Sequence, residues 1–264
     1  MTTLPNKNEL RDFLEKKVLE YNHPSFIATD PVSVPHRFSK KQDIEIAGLF
    51  ASIFAWGNRT TIIQKSNELM RSMDDDPYNF IRNHRLTDLK RFLNFKHRTF
   101  NATDLLYFIQ YLRYHYLLSD SLETAFLPSR ENMNGGNEFI KSALSIFYTR
   151  FFSLENAPYR TQKHIATPEK NSACKRLNMY LRWMVRKDKR GVDFGIWGKI
   201  SAADLICPID LHVARVARGF GLINRKQNDW ETAMELTLAL RGMDKKDPVK
   251  YDFALFGLGV MEKY

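Results

Sequence analysis

Two stretches carry the residue types on which chemistry can be built. In residues 207–223, CPIDLHVARVARGFGLI, an apolar pair leads into an acid, Asp210, with a histidine two residues on. A helix with Val213, Val216 and Phe220 on one side follows and is closed by Gly221. An acid at this place can cap the helix, and it can also hold or move a proton at a reacting group; the two roles are compatible. Upstream, residues 160–190 hold ten basic residues (Arg160, Lys163, Lys170, Lys175, Arg176, Arg182, Arg186, Lys187, Lys189, Arg190) against two acidic ones, Glu169 and Asp188. Such a stretch is either a solvated helix face or a surface for a polyanion. His212 has no second ligand at helical spacing and reads as a packing or capping residue, so no metal is implied. Cys174 reads as a small core residue.

The 207–223 segment resembles the P-[VL]-D-T-H-V-x-R-[VL]-x-x-R-x-G-L pattern of the helix-hairpin-helix DNA glycosylases, the endonuclease III and 8-oxoguanine glycosylase superfamily. Residues 171–178, NSACKRLN, align without a gap on that family's G-V-G-R-K-T-A-N, with Asn171 and Ala173 at the glycine positions. The resemblance puts Lys175 on the nucleophile and Asp210 on the catalytic acid. The 35 residues from Lys175 to Asp210 are similar to the long interval of the archaeal 8-oxoguanine glycosylases. Residues 251–259, YDFALFGLG, look like the archaeal H-L-D-T-L-L-W-L-A-G, which places Asp252 on the base-reading acid and Phe256 on the stacking aromatic. Trp56, Asn58 and Arg59 fall where the superfamily sends side chains into the base pocket and the gap left by a flipped nucleotide. With PHRFSKKQDIEIAG and AWGNR, the whole chain is similar to a bacterial family placed in this superfamily.

The resemblance implies a bifunctional glycosylase and AP lyase acting on an oxidised purine, such as 8-oxoguanine, in duplex DNA. A lysine amine attacks only when neutral, which desolvation or neighbouring cations such as Arg176 and Arg182 would favour. Lys175 would form a Schiff base that undergoes β-elimination, and Asp210 would stabilise the oxocarbenium-like charge and assist proton transfer. Arg176, Arg182, Arg186 and Lys187 are expected on phosphates, with Asn58 and Arg59 as further DNA contacts. The residues themselves leave alternatives open: Lys175 as a phosphate contact, Phe256 and Trp56 as core, Asp252 as a surface acid. A non-catalytic or RNA-directed nucleic-acid-binding protein on the same scaffold, and a helical protein-interaction module, are the competing functions.

Positioning falls to helices. Ser39 followed by Gln42 signals a capping box before a buried helix over 44–54 that stops near residues 56–58; further helices are expected over 60–71 and around 77–83. Asn101 caps 102–118, and helices follow over 139–152, 172–186, 210–219 and 229–240. In a last helix Asp247 is the cap and Pro248 takes the first turn. Residues 132–137, NMNGGN, are the clearest break, and 153–168 reads as irregular. No alternating run competes as a strand, so the fold is expected to be all-α, without internal repeats. The expected organisation is a single globular unit, 1–264, of two interlocked helical lobes: 39–152, and 1–38 with 153–264. A helix-hairpin-helix-like element is expected, with the active site in the cleft between the lobes.

The 264 residues, 44% hydrophobic and 27% charged with only 12 Gly and 10 Pro, exclude a disordered or collagenous chain. Forty Lys and Arg against 30 Asp and Glu give +10, which favours a polyanionic partner. Two cysteines cannot hold an iron–sulfur cluster or a disulfide framework, so no cofactor is expected and a reducing, cytoplasmic setting fits. The charged N-terminal stretch offers no signal peptide and the longest apolar run is far short of a membrane span. A monomer is expected, with duplex DNA carrying a damaged base as its partner.

Overall fold

The computed structural model describes residues 6–128 and 138–264, and the fold is all-α. Helices α1 (Lys7–Tyr21), α2 (Lys41–Phe54), α3 (Arg59–Ser72), α4 (Pro77–Asn83), α5 (Ala102–Leu118) and α6 (Phe139–Phe151) come first. Then follow α7 (Lys175–Val185), α8 (Leu211–Gly219), α9 (Trp230–Arg241) and α10 (Tyr251–Val260). A two-residue antiparallel hairpin, β1 (Lys96–His97) and β2 (Phe100–Asn101), pairs Lys96 with Asn101 and His97 with Phe100. The chain divides into two compact units: Met1–Ala28, Gly135–Ile140 and Thr167–Tyr264 in one, Thr29–Asn134 and Lys141–Ala166 in the other. The break expected at 132–137 lies outside the described residues.

In the first unit α10 is apolar on nearly every side, with Phe253, Ala254, Leu255 and Leu258 buried, and a helix of that kind must lie inside. Its two glycines let neighbours close in. A Cβ at Gly257 would lie 2.2 Å from the Tyr21 ring of α1, and one at Gly259 3.0 Å from the His212 Cβ of α8. Helix α1 was not expected from the charged N-terminal stretch. Its apolar stripe is Leu10, Leu14 and Val18 at four-residue spacing, opened by a capping box of Asn6 and Glu9. Lys17 and the Tyr21 hydroxyl both reach Glu262, and the Tyr251 hydroxyl donates to Glu15 at 2.5 Å.

The second unit is built on α2, buried from Asp43 to Phe54, with Phe50 and Phe54 packed among Phe95, Phe100 and Phe108. No capping box forms at Ser39 and Gln42: Lys40 holds the cap position without a side-chain bond, and Gln42 donates instead to the Asp120 carbonyl. Asn101 caps α5 in a reciprocal box with Asp104. Buried Asp104 also accepts from Arg160 at 2.6 Å and from the Thr161 hydroxyl at 2.8 Å. This tie keeps residues 159–164 on the second unit, so the boundary falls at 166/167 rather than 152/153. Likewise the turns Pro31–Ser33 and Pro35–Arg37 pack on α2, which moves the first boundary to 28/29 from 38/39.

Candidate active site

The start of α7 is a tight turn made without glycine. A 3-10 turn, Pro168–Lys170, ends at Asn171 in the left-handed region (φ 54°), where the resemblance has its first glycine. Asparagine enters that region at little cost. The second left-handed residue is Cys174 (φ 49°), directly before the helix, and not Ala173. Cys174 is held there by Asn178, whose backbone N–H donates to the Cys174 carbonyl and whose side-chain amide donates to that of Ala173. Burial pushes the Cys174 thiol up to about 12, so it stays protonated at neutral pH and serves packing. Lys175 is therefore the first residue of an 11-residue helix with no side-chain cap. Its side chain is half-buried, and among the described residues no hydrogen bond or ion pair engages the amine.

Asp210 caps α8: its Oδ1 accepts from the backbone N–H of His212 at 2.9 Å and of Val213 at 3.0 Å. Oδ2 takes no hydrogen bond from the described residues. The approach to Asp210 is fixed from α9, where the Thr237 hydroxyl accepts from the Cys207 N–H at 3.0 Å and Arg241 donates to the carbonyls of Ala203 and Asp204. Asp252, on α10, lies within electrostatic range of both predicted residues. Burial is the main influence and pushes its carboxyl up to about 6, against the pull of Arg182; Asp210 adds to the rise and Lys175 opposes it. Burial also pushes the thiol of Cys207 well up, and Asp252 and Asp210 add to that. Asp252 is thus in contact with Arg182 and within electrostatic range of Lys175 and Asp210, all in the first unit.

Two expected phosphate contacts are buried. Arg182 is 4% and Arg186 2% exposed, and each is taken up by carboxylates. Arg182 pairs with Asp252 and, at 3.3 Å, with Asp193; Arg186 pairs with Asp188 at 2.7 Å, Asp247 at 2.9 Å and Asp193 at 3.0 Å. They stand four residues apart, Arg182 on α7 and Arg186 at its C-cap, so desolvation and four near carboxylates outcompete any external phosphate. Asp252 is correspondingly no surface acid: its Oδ2 holds Arg182, while Oδ1 takes no hydrogen bond from the described residues. Asp247 does not cap the last helix either, because its carboxylate faces Arg186 and Pro248 opens a separate 3-10 turn, Pro248–Lys250, before α10. Sequence reasoning missed Asp193 altogether and missed the pairing of Asp247 with Arg186. The two acids stand 11 and 61 residues from their arginines, and no local pattern announces these contacts.

The remaining predicted residues divide. Phe256, one turn beyond Asp252, is half-buried and meets the Phe26 ring edge-on at 6.0 Å. Lys187 is exposed just past α7, and Arg176 is half-buried, with desolvation lowering its basicity. Trp56, Asn58 and Arg59 belong to the second unit. There Asn58 caps α3 by accepting from the Thr61 N–H at 3.1 Å, and Trp56 is half-buried. Among the described residues no group of three or more His, Cys, Asp or Glu could hold a metal, and no helix is long and apolar enough to cross a membrane.

A family described as "Protein of unknown function (DUF2400)" matches residues 30–261, and the chain belongs to that family. Comparison with curated proteins and with solved structures gives no match.

Proposed function

We propose that the protein is a DNA base-excision glycosylase with AP lyase activity, acting on an oxidised purine such as 8-oxoguanine in duplex DNA. One observation carries the reading. Lys175 starts an uncapped helix after a turn with two left-handed residues, its amine is claimed by no carboxylate among the described residues, and Asp210 and Asp252 lie in the same locus.

The chemistry runs as follows. The neutral Lys175 amine attacks the sugar carbon that bears the damaged base; the C–N glycosidic bond breaks, and the base leaves with the electron pair and is protonated. Ring opening gives a Schiff base, and loss of a C2′ proton then expels the 3′ phosphate. Asp210 is fixed at Oδ1 by the helix it caps, which leaves Oδ2 to take the ammonium proton and to face the positive charge developing on the sugar. Asp252 offers Oδ1 to a purine N–H, with Phe256 one turn further along the helix to stack on the base.

Borohydride reduction in the presence of a duplex containing 8-oxoguanine or an abasic site tests this. A covalent protein–DNA adduct is expected with the native protein and none with Lys175→Gln. An adduct that survives the substitution moves the nucleophile elsewhere. Absence of any adduct together with tighter binding to RNA of the same sequence would establish the non-catalytic, RNA-directed alternative instead.

A further inference from the structure

The β1–β2 hairpin of the second unit places a cation where its own fold makes little use of its charge. Arg98 is the first of the two turn residues and takes the left-handed backbone region (φ 53°), which side chains enter only when the surroundings hold them there. The hairpin is anchored by His97, whose Nε2 lies 3.1 Å from the Phe54 carbonyl at the end of α2. From this position the Arg98 guanidinium lies 4.4 Å from the centre of the Trp56 ring. Gly57 makes the approach possible. It has φ +106°, and a Cβ there would sit 2.6 Å from an Arg98 guanidinium nitrogen.

Other arginines of this unit that stand over a ring have a second partner: Arg37 and Arg91 hold a carboxylate and Arg82 the Tyr78 hydroxyl. On the same unit Arg37, Arg91 and Arg160 each reach a carboxylate, at 2.7, 2.8 and 2.6 Å. No carboxylate engages Arg98 among the described residues, and its side chain is exposed. The Trp56 indole N–H is buried without an acceptor among the described residues, and the ring is packed by Arg98 over its face and by His97 at its edge, 6.2 Å between centres. A guanidinium backed by an aromatic face is planar, pre-oriented and keeps its donors outward, which suits a phosphate oxygen pair and an adjacent base.

We infer that Arg98, braced on Trp56, is a nucleic-acid contact that takes a backbone phosphate, a role that rests on the DNA reading above. The measurement can be internal to the protein. Of the four tryptophans, Trp183, Trp197 and Trp230 are buried and Trp56 is half-exposed, so a change in intrinsic fluorescence on adding duplex reports on Trp56. Duplex DNA with an abasic site is titrated at several salt concentrations into the native protein, Arg98→Ala and Arg98→Lys. The native protein is expected to show quenching. In Arg98→Ala the slope of log affinity against log salt should shrink by about 0.9, the value of one phosphate contact. Arg98→Lys should recover the slope and lose part of the fluorescence change. Where Arg98→Ala does not fold, as judged by circular dichroism, Arg98→Gln carries the same expected loss of slope. An unchanged slope and unchanged quenching in a folded Ala or Gln variant overturn the inference while borohydride trapping by Lys175 on the same duplex still stands. A native protein that neither binds nor is trapped overturns both.

Discussion

The proposed mechanism asks Asp210 to do two things, and its two oxygens divide them: Oδ1 caps α8, and the proposal gives Oδ2 the chemistry. Asparagine caps a helix as well as aspartate, so Asp210→Asn keeps the structural half and removes the charge. Turnover is expected to fall by roughly 10²–10⁴-fold, the span of general acid–base catalysis, with the melting temperature and duplex affinity nearly unchanged. Asp210→Ala should lose the same activity and, in addition, about 1 kcal/mol of stability, because the N–H groups of His212 and Val213 lose their acceptor. Denaturant melts run beside the turnover assay check this, and an Asn variant with native turnover would leave Asp210 as a cap alone. The resemblance located this residue because a cap, a histidine and a helix sit in a local pattern. It could not show that Asp252 would be buried on an arginine, since that contact joins residues 70 positions apart.

Helices α7 and α10 are tied by the Arg182–Asp252 pair, and Asp193 bridges Arg182 to Arg186. Breaking one member of a buried ionic network leaves its partners uncompensated, so Asp193→Ala is expected to cost about 3–5 kcal/mol in a denaturant melt. Gly257→Ala should destabilise the α1–α10 contact by about 1–3 kcal/mol, because the new methyl group meets the Tyr21 ring. The network also has a pH signature. The Asp252 carboxyl is raised by burial from its ordinary 3.8 to about 6, so the folded protein binds a proton more readily there than the unfolded chain. That contribution is fully present below 3.8 and is lost as pH rises through about 6. Native stability relative to Asp252→Asn should therefore fall between pH 4 and 7, by on the order of 3 kcal/mol at most. A difference that is flat with pH would mean the carboxylate is ionised throughout. The caps of α5 and α8 at Asn101 and Asp210 were legible in sequence because a cap bonds within three residues. Ser39 and Asp247 were misread where a distant partner won: Gln42 turns to Asp120, and Asp247 to Arg186.

The net charge of +10 attracts a polyanion only through the charges that face outward. A count along residues 160–190 credits every basic residue equally, yet Arg160, Arg182 and Arg186 each sit on a carboxylate, while Lys187, Lys189 and Arg190 are exposed. The basic stretch is thus partly an internal ion network and partly a surface, and the two parts respond differently to salt. Arg186→Gln is expected to lower stability and to leave the salt dependence of duplex binding as it is in the native protein. Lys187→Gln and Arg190→Gln are expected to keep the melting temperature, to weaken binding to all sequences alike, and to reduce the log–log salt slope by about 0.9 for each phosphate lost. Fluorescence anisotropy of a labelled duplex across a salt series measures both. Should Arg186→Gln in a folded protein change the slope while Lys187→Gln and Arg190→Gln do not, the buried arginines would have to become accessible in the complex. Assigning the DNA surface to the exposed end of the stretch would then be wrong.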